Sequence, residues 1–256
     1  MKSDAEKFKG GQESKATSEH INLFRELGEK LRDNPLPKDE LLVNLGLFQR
    51  SSQIAKILFL NELYELIYDI PGVIMEFGCW WGQNLCVFEN LRAIYEPFNQ
   101  NRKIIGFDTF SGYTLLSSKD ISGGTVKESG HRLPEGYENY LEDLLSCHEK
   151  INVLGHIKKH SIIKGDVTQT LPDYLKNHPE TIISLAYIDL ALYEPCKIVL
   201  KEIKPHLVPG SIILFDELNW SQYPGETIAF KEELKDSGFS IHNSKFIRDR
   251  TIVRMK

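Results

Sequence analysis

The sequence predicts an α/β fold with an open, mostly parallel sheet, an antiparallel strand near the C-terminus and helices at the N-terminus. Two observations support this prediction. From residue 72 onward, short runs of Val, Ile, Leu and Phe alternate with stretches of helical periodicity, and such runs are typical of parallel strands buried on both faces. Five of the runs also end on a carboxylate, which puts polar groups where ligands bind in a Rossmann-like sheet.

The first 70 residues precede this alternation. Residues 1–17 are rich in Lys, Glu, Ser and Gly and are predicted to be a disordered tail. After this tail, apolar residues recur at three- and four-residue steps, which predicts three helices, and Pro35 and Pro37 end the first of them. We therefore expect a helical cover over residues 18–70 and a Rossmann-like domain over residues 71–256.

The acids at the strand ends form the most informative pattern. They are Glu76 after residues 72–75, Asp108 after 103–107, Asp166 after 161–165, Asp189 after 181–188, and the pair Asp216 and Glu217 after 211–215. Because the carboxyl ends of parallel strands meet at one edge of a sheet, these acids should share a rim. Crowded carboxylates raise one another's pKa unless cations or hydrogen-bond donors join them. The rim therefore predicts a partner rich in hydroxyls or amines, or a metal ion.

The connections after these strands are predicted to be helical. The helices are expected at residues 82–95, 137–149, 168–177, 194–205 and 225–236, and two short strands from residue 239 onward should close the sheet. One long region, residues 111–135, is rich in Ser and Gly and has no clear period. Loops of this length inside a compact domain often cover substrates.

Composition excludes several classes of function. The chain has 41% hydrophobic and 26% charged residues and a net charge of −5, which gives no electrostatic reason to expect nucleic acid. No apolar run approaches the roughly 20 residues that cross a bilayer, and the N-terminus lacks an apolar signal core. The four cysteines lack zinc-type spacing. We expect a cytoplasmic protein whose partner is a small molecule rather than nucleic acid or a membrane.

A glycine turn at residues 76–82, Glu-Phe-Gly-Cys-Trp-Trp-Gly, follows the first strand and opens a helix. Glycine permits a tight turn and close approach of the backbone to a ligand. The turn is neither the GxGxxG of nicotinamide dehydrogenases nor a P-loop. Asp108 is placed to accept hydrogen bonds from ribose hydroxyls, and Asp166 to contact an adenine edge. Together these elements favour an adenosyl cofactor, and S-adenosylmethionine over NAD.

The predicted cofactor site extends to neighbours of these elements. Its residues are Glu76, Gly78, Trp80, Asn84, Asp108, Ser111, Asp166 and Val167. Two alternatives stay open. The glycines and acids could merely mark strand ends, and Trp80 could pack beneath the turn as readily as stack on a cofactor.

A metal site is predicted at Asp189, Asp216 and Glu217, which end consecutive strands that should be neighbours. Three carboxylates brought together at neutral pH need a divalent cation, and ligation by oxygen alone favours Mg²⁺, with Mn²⁺ or Ca²⁺ as alternatives. Such a cation could lower the pKa of a substrate hydroxyl and hold it in line with a methyl donor. Alternatively, the acids could only cap the helices that follow.

Five segments of the chain resemble the macrocin O-methyltransferase family of class I methyltransferases. They are residues 72–80, 106–112, 188–195, 207–211 and 215–218. The match spans about residues 40 to 235 and resembles most the branch that acts on sugar moieties of enediyne antibiotics such as calicheamicin. The resemblance implies a homo-oligomer that uses S-adenosylmethionine and a divalent metal to methylate a hydroxyl of a sugar or aromatic natural product.

By the same resemblance, Asp189, Asp216 and Glu217 match the metal triad, and Glu76, Gly78, Asp108 and Asp166 match cofactor positions. Two departures stand out. The family's Asp-x-Asp-x-Tyr-Glu segment has a second acid that is proposed as the general base, and this chain has Ala191 there. The turn also reads Trp-Gly-Gln at residues 81–83, where many relatives have Arg-Gly-Gly.

Without the second acid, Asp189 and His131 are the predicted catalytic residues. Tyr113 and Tyr137, which like His131 flank the long loop, are further candidates to contact substrate. Another group could form a substrate wall after the metal pair, and its members are Trp220, Tyr223, Pro224 and Glu226. The basic run at residues 158–160 is expected to be a solvated loop.

The predicted function is a metal-assisted O-methyltransferase that acts on a sugar or glycosylated natural product. Two alternatives remain: a catalytically impaired protein that binds S-adenosylmethionine, which Ala191 would explain, and an NAD-dependent sugar-modifying oxidoreductase, against which the missing GxGxxG counts. The sequence leaves the acceptor open, and also the choice between O- and N-methylation.

Overall fold

Seven strands among the described residues form one sheet. The computed structural model describes residues 17–113, 117–120 and 131–256. The strands are β1 (Val73–Phe77), β2 (Ile104–Asp108), β3 (His160–Lys164), β4 (Ile183–Ile188), β5 (Leu207–Phe215), β6 (Phe239–Asn243) and β7 (Thr251–Met255). Their order is β3-β2-β1-β4-β5-β7-β6. β7 runs antiparallel to both of its neighbours, β5 and β6, and all other pairs are parallel. This confirms the predicted Rossmann-like class I methyltransferase sheet with its antiparallel C-terminal strand.

Helices cover both faces of the sheet. They are α1 (Ser18–Arg32), α2 (Lys38–Leu41), α3 (Ser51–Ile67), α4 (Gln83–Tyr95), α5 (Tyr137–Ile151), α6 (Val167–Asn177), α7 (Tyr193–Ile203) and α8 (Pro224–Glu233), with short 3-10 turns at Leu45–Phe48 and Lys204–His206. The predicted helices from residue 82 onward are all present. The helix that was expected to reach residue 205 ends at Ile203, because Pro205 lacks the amide hydrogen that an α-helix needs.

Side chains alternate along the strands between two apolar layers. On β1, Met75 and Phe77 face the layer of α6, α7 and α8, whereas Ile74 faces the layer of α3, α4 and α5. The same alternation sets Tyr187 of β4 on the α3 side, while its neighbour Ile188 faces α7. Both faces are therefore buried, as the continuous apolar runs predict.

The N-terminal segment divides into two parts. Helix α3 packs on the sheet through Phe59, Leu60 and Leu63, which are fully buried, whereas α1 buries no residue. The predicted boundary at residue 70, between the helical cover and the Rossmann-like domain, stays a prediction. The apolar side chains of α3 pack in the same core as those of the sheet. The predicted tail, apart from residue 17, lies outside the described residues, as do residues 114–116 and 121–130 of the long loop. In the described ranges, no helix is long and apolar enough to cross a membrane.

Candidate active site

A pocket of about 360 Å³ lies at the carboxyl edge of the sheet, where β1, β2, β4 and β5 end. Nine of the predicted site residues line it: Gly78, Trp80, Asp108, His131, Asp166, Val167, Asp189, Asp216 and Glu217. Glu76, Asn84 and Ser111 are not among the lining residues. The long loop contributes Gly112 and Tyr113 to the wall.

The glycine turn packs tightly against the end of β4. Gly78 has φ 88°, and a Cβ atom there would lie 2.0 Å from the backbone oxygen of Asp189. Gly82, with φ 73°, precedes the first residue of α4. Both positions therefore favour glycine. At Gly78 the reasons are the close contact and the positive φ, and at Gly82 the reason is the positive φ at the residue before the helix. The turn leaves Gly78 and Trp80 facing the pocket.

Asp108 joins this turn to the end of β2. Its carboxylate accepts hydrogen bonds from the backbone N–H of Trp80 at 2.8 Å and of Phe110 at 2.6 Å. Burial raises the pKa of Asp108 even though these bonds favour its charged form. Each carboxylate oxygen has a second lone pair. The geometry therefore leaves acceptor capacity toward the pocket, which suits ribose hydroxyls.

Asp166 and Val167 lie where β3 gives way to α6. The Asp166 carboxylate caps α6, accepting from the Thr168 backbone N–H at 2.9 Å and from its hydroxyl at 2.8 Å. The capping alternative therefore holds for this acid, which also lines the pocket beside Val167. Contact of either residue with an adenine ring stays a prediction.

Glu76 and Asn84 lie beneath the turn. Glu76 is inside β1 rather than at its end, and its side chain is buried on the α3 side of the sheet. The Asn84 amide donates to Glu76 Oε1 at 2.7 Å, while Oε2 is buried without a hydrogen-bond partner. Burial raises the pKa of Glu76 to about 8. This placement favours support of the turn, and direct contact with a cofactor stays a prediction for both residues.

Ser111 follows the end of β2 and is exposed. Its backbone N–H donates to Thr109 Oγ1 at 3.2 Å, within the turn that carries Gly112 to the pocket wall. The hydroxyl of Thr109 in turn donates to the carbonyl oxygen of Gly112 at 2.9 Å. Ser111 is therefore part of the turn at the edge of the pocket. Its contact with a cofactor stays a prediction.

The three predicted metal ligands come together at the ends of β4 and β5. Oxygen atoms of Asp189, Asp216 and Glu217 all lie within 4.8 Å of one another. Burial raises the pKa of Asp189 well above its usual range, and the charge of Asp216 adds to the effect. Burial likewise raises the pKa of Glu217, whose Oε2 is buried without a hydrogen-bond partner. An all-oxygen set with an unpartnered buried carboxylate atom fits a hard divalent cation.

Positive and hydroxyl groups behind the cluster were not predicted. Arg250 forms an ion pair with Asp216, and the Tyr187 hydroxyl donates to Asp216 Oδ1 at 3.3 Å. Lys56 of α3 donates to the Tyr187 hydroxyl at 2.7 Å. These residues come from a helix, a strand interior and the segment before β7, so only the tertiary structure reveals that they meet.

The prediction of a substrate wall is wrong for Glu226 and correct in placement for Tyr223. Glu226 is fully buried, because α8 directs it inward to accept backbone hydrogen bonds from the loops after β4 and β5. Tyr223 lines the pocket, and Trp220 packs edge-on against it with ring centroids 5.3 Å apart. Neither Trp220 nor Pro224 is among the lining residues.

His131 lies between two aromatic rings of the pocket wall. Its ring centroid is 5.5 Å from that of Trp80 and 5.2 Å from that of Tyr113. Burial lowers the pKa of His131, and the charge of Asp108 opposes this only in part. The imidazole is therefore neutral at neutral pH and able to accept a proton. Tyr137 instead donates to the Trp81 backbone oxygen at 3.0 Å and supports the turn.

Ala191, where the resemblance expects an acid, is buried with φ 59°. This left-handed conformation is uncommon for alanine, whereas Asp and Asn tolerate it more readily. Its backbone N–H donates to Glu226 at 3.2 Å. The backbone conformation at this position therefore suits Asp or Asn better than the alanine that this chain has there.

The prediction that residues 158–160 form a solvated loop holds for Lys158, which is exposed, and is wrong for the two residues that follow it. Lys159 and His160 are buried, and both contact Glu149 at 2.7 Å. Glu89 joins them, and Arg92 pairs with both carboxylates. The geometry of Glu89, Glu149 and His160 could hold a metal. The cationic side chains of Arg92 and Lys159 already neutralise the acids, so the group is a structural ion network.

The chain has relatives among solved structures. No family model matches the chain, and no curated protein does. Among solved structures, CalS11, a calicheamicin methyltransferase, is 38% identical over 94% of both chains, with a TM-score of 0.89. The chain belongs to the calicheamicin methyltransferase family. As a member of this family it is an S-adenosylmethionine-dependent methyltransferase, which confirms the predicted class of enzyme and the predicted branch.

Two further structures extend the comparison. An apo form of CalS11, described as TDP-rhamnose 3′-O-methyltransferase, is 37% identical over 94% of this chain and 96% of its own, with a TM-score of 0.82. The O-methyltransferase NovP is 15% identical over 79% of this chain and 80% of its own, with a TM-score of 0.60. The similarity to NovP supports only the fold of this chain.

Proposed function

We propose that this calicheamicin-family methyltransferase transfers a methyl group from S-adenosylmethionine to a hydroxyl of a sugar, in a nucleotide-linked or glycosylated acceptor. One observation carries the proposal. The acid cluster and the glycine turn share a single pocket, in a chain 38% identical to a calicheamicin methyltransferase. The 3′-hydroxyl of TDP-rhamnose named for CalS11 makes nucleoside diphosphate sugars the first acceptors to test.

The cofactor would occupy the side of the pocket formed by β1, β2 and β3. Gly78 allows the backbone to approach the ligand, and Asp108 would accept hydrogen bonds from the ribose hydroxyls. Asp166 and Val167 would border the adenine, and Trp80 would pack against the cofactor from the exposed side. Glu76 and Asn84 would hold the turn from below.

A divalent cation, which we propose to be Mg²⁺, would be held by Asp189, Asp216 and Glu217. When bound, it supplies positive charge that lowers the pKa of the acceptor hydroxyl and helps to orient it. The acids themselves fix where that charge lies, beside the end of β4 and against the glycine turn. The acceptor would then enter along Tyr113, Leu192 and Tyr223.

His131 would accept the proton of the acceptor hydroxyl. The oxygen then bonds to the methyl carbon as the carbon–sulfur bond breaks, and the sulfonium becomes the neutral sulfide of S-adenosylhomocysteine. His131 is the one histidine among the described lining residues, and its lowered pKa keeps it in the neutral form. Asp189 would serve beside it by holding the cation rather than by taking the proton.

Calorimetric titration of S-adenosylhomocysteine, first with EDTA and then with Mg²⁺, tests both halves of the site. We expect micromolar binding by the wild type and a loss of at least about 10-fold in Asp108→Ala, because hydrogen bonds to a charged carboxylate are lost. The heat of Mg²⁺ binding should vanish in Asp216→Ala. Asp236→Ala, in the segment after α8, is the matched control. Absence of nucleoside binding in every condition would contradict the proposal.

Turnover is then measured by mass spectrometry with nucleoside diphosphate sugars. We expect a singly methylated sugar, and loss of product in His131→Ala with retained cofactor affinity. A second candidate function rests on Ala191. A protein that binds S-adenosylhomocysteine and Mg²⁺ yet methylates no acceptor would support the impaired binding protein over the enzyme.

We also propose that the protein is a cytoplasmic homo-oligomer. The N-terminal segment exposes many large apolar side chains, namely Leu23, Phe24, Leu31, Leu42, Val43, Leu45, Leu47, Ile54 and Leu58. Exposed apolar side chains that gather in one segment often mark an interaction site, so contact with a second copy is favoured. Light scattering of the purified chain tests this, and a monomer at micromolar concentration would contradict it.

A further inference from the structure

Glu226 is a buried carboxylate that bridges the two loops of the acid cluster. Its Oε1 accepts the backbone N–H of Leu190 at 3.0 Å and of Ala191 at 3.2 Å. Its Oε2 accepts the backbone N–H of Glu217 at 3.1 Å. One side chain thus holds the residues that follow Asp189 and the residue that follows Asp216.

The start of α8 is built to bring this carboxylate in. A Cβ atom at Gly225 would lie 2.5 Å from both the Tyr193 backbone nitrogen and Asp120 Oδ1. Only glycine therefore lets the helix approach the loop after β4 this closely. Glu226, the next residue, is 0% exposed. It does not line the pocket, so direct contact with an acceptor is not its role.

The three hydrogen bonds of Glu226 oppose the electrostatic repulsion between the loops after β4 and β5. Asp189, Asp216 and Glu217 repel one another, and the carboxyl group of Glu226 adds to this repulsion. Ala191 is also in a left-handed conformation that costs free energy. Either form of the Glu226 carboxyl group can accept these backbone hydrogen bonds, and buried hydrogen bonds are costly to lose. Residues that hold metal ligands in this indirect way typically contribute 10–100-fold to metal affinity.

We propose that Glu226 is a positioning residue that fixes the loops after β4 and β5 so that Asp189, Asp216 and Glu217 can bind one divalent cation. This inference rests on the proposed function, because it assumes the metal site. Because position 191 is alanine, its side chain cannot form a hydrogen bond that would hold the loop after β4. Glu226 holds this loop instead, by accepting the backbone N–H groups of Leu190 and Ala191. Glu226 is not in the group of acids that could hold the cation and does not line the pocket, so it would act through the three ligands.

The test is titration of Mn²⁺ into wild type, Glu226→Ala and Glu226→Gln, followed by calorimetry and electron paramagnetic resonance. We expect a rise in the Mn²⁺ Kd of at least about 10-fold in Glu226→Ala. Glu226→Gln keeps one oxygen acceptor and replaces the other by an NH₂ group, which cannot accept a backbone N–H. It should show a smaller rise in the Mn²⁺ Kd and a smaller loss of thermal stability than Glu226→Ala. Glu233→Gln, on the same helix, should bind Mn²⁺ as the wild type does.

S-adenosylhomocysteine affinity in EDTA distinguishes positioning from general damage. It should change less than about threefold in Glu226→Gln, because the metal loops are not its main contact. Wild-type Mn²⁺ affinity in both Glu226 variants would overturn this inference and leave the proposed function intact. Parallel losses of nucleoside and Mn²⁺ affinity in Glu226→Gln would also overturn it. Absence of Mn²⁺ binding by the wild type would overturn the metal site itself, and the inference with it.

Discussion

Arg250, in the segment between β6 and β7, forms an ion pair with Asp216 at the end of β5. The side chains are 18% and 6% exposed, respectively. Because three carboxylates meet here, a nearby guanidinium offsets part of their charge when no cation is bound. The neighbouring acids, chiefly Asp216, raise the pKa of Arg250 against the opposing effect of burial. The C-terminal strand pair thus contributes directly to the electrostatics of the site.

Arg250→Ala should destabilise the protein more in EDTA than in Mg²⁺. Removing one partner of a buried ion pair leaves the other uncompensated and costs about 3 kcal/mol. A bound cation would replace the lost charge and reduce this loss. Urea denaturation in the two buffers measures the effect, with Arg254→Ala, exposed on β7, as control. Equal losses in both buffers would show that Arg250 does not compensate the acids.

Gly78→Ala should be more damaging than Gly136→Ala. Both glycines have positive φ, 88° and 78°, so alanine costs about 1–2 kcal/mol at either position. At Gly136 the added Cβ has no contact nearer than 3.9 Å, whereas at Gly78 it would meet the Asp189 backbone oxygen. We expect the additional loss in thermal stability, together with loss of S-adenosylhomocysteine binding, only in Gly78→Ala. Equal losses of thermal stability and of S-adenosylhomocysteine binding in the two variants would mean that the backbone at the end of β4 moves to accommodate the added Cβ atom.

Glu76→Gln should remove a pH dependence of stability. The pKa of Glu76 is raised from 4.5 to about 8, so the folded protein holds this proton while the unfolded chain has lost it. Its contribution is complete below about pH 4.5 and is lost as the pH rises through about 8. The glutamine variant should therefore gain stability relative to the wild type across this window. Denaturation at several pH values measures it, and parallel curves would refute a protonated Glu76.

His160→Gln should destabilise the protein most at low and neutral pH. Glu149 and Glu89 raise the pKa of His160 from 6.5 to about 9, against the effect of burial. Its stabilising charge is complete below about pH 6.5 and is lost as the pH rises through about 9. We expect a loss of about 2 kcal/mol at pH 6, because buried carboxylates lose a partner. The loss should shrink by pH 10 in chemical denaturation. His156→Gln serves as control, and a loss independent of pH would contradict a charged His160.

Local patterns were sufficient for much of the fold. The apolar runs predict β1 to β5, and the helical periodicity predicts the helices that connect them, because both periods follow from backbone geometry within a few residues. The acids after β2, β4 and β5 lie at one rim for the same reason. Their convergence could be predicted without coordinates, since parallel strands bring their carboxyl ends to one edge.

Two predictions of side-chain placement were wrong, because they depend on which way a side chain points from its strand and on partners far away in the sequence. Glu76 is one residue inside β1, so the alternation of the strand turns it toward α3 rather than the pocket. Lys159 and His160 appear polar and solvated in sequence, but Glu89 and Glu149 come from two helices to neutralise them. No local signal encodes such partners, because the contacts join residues far apart in the chain.

The sequence by itself determined the class of sheet, the acids at its rim and the family to which the chain belongs. Only the tertiary structure decided which groups stand behind those acids: Lys56 and Arg250 as positive charges, and Glu226 as the bridge between the loops. The physical reason is the range of the interactions. Periodicity acts over a few residues, whereas burial and charge compensation depend on segments that only folding brings within hydrogen-bond distance.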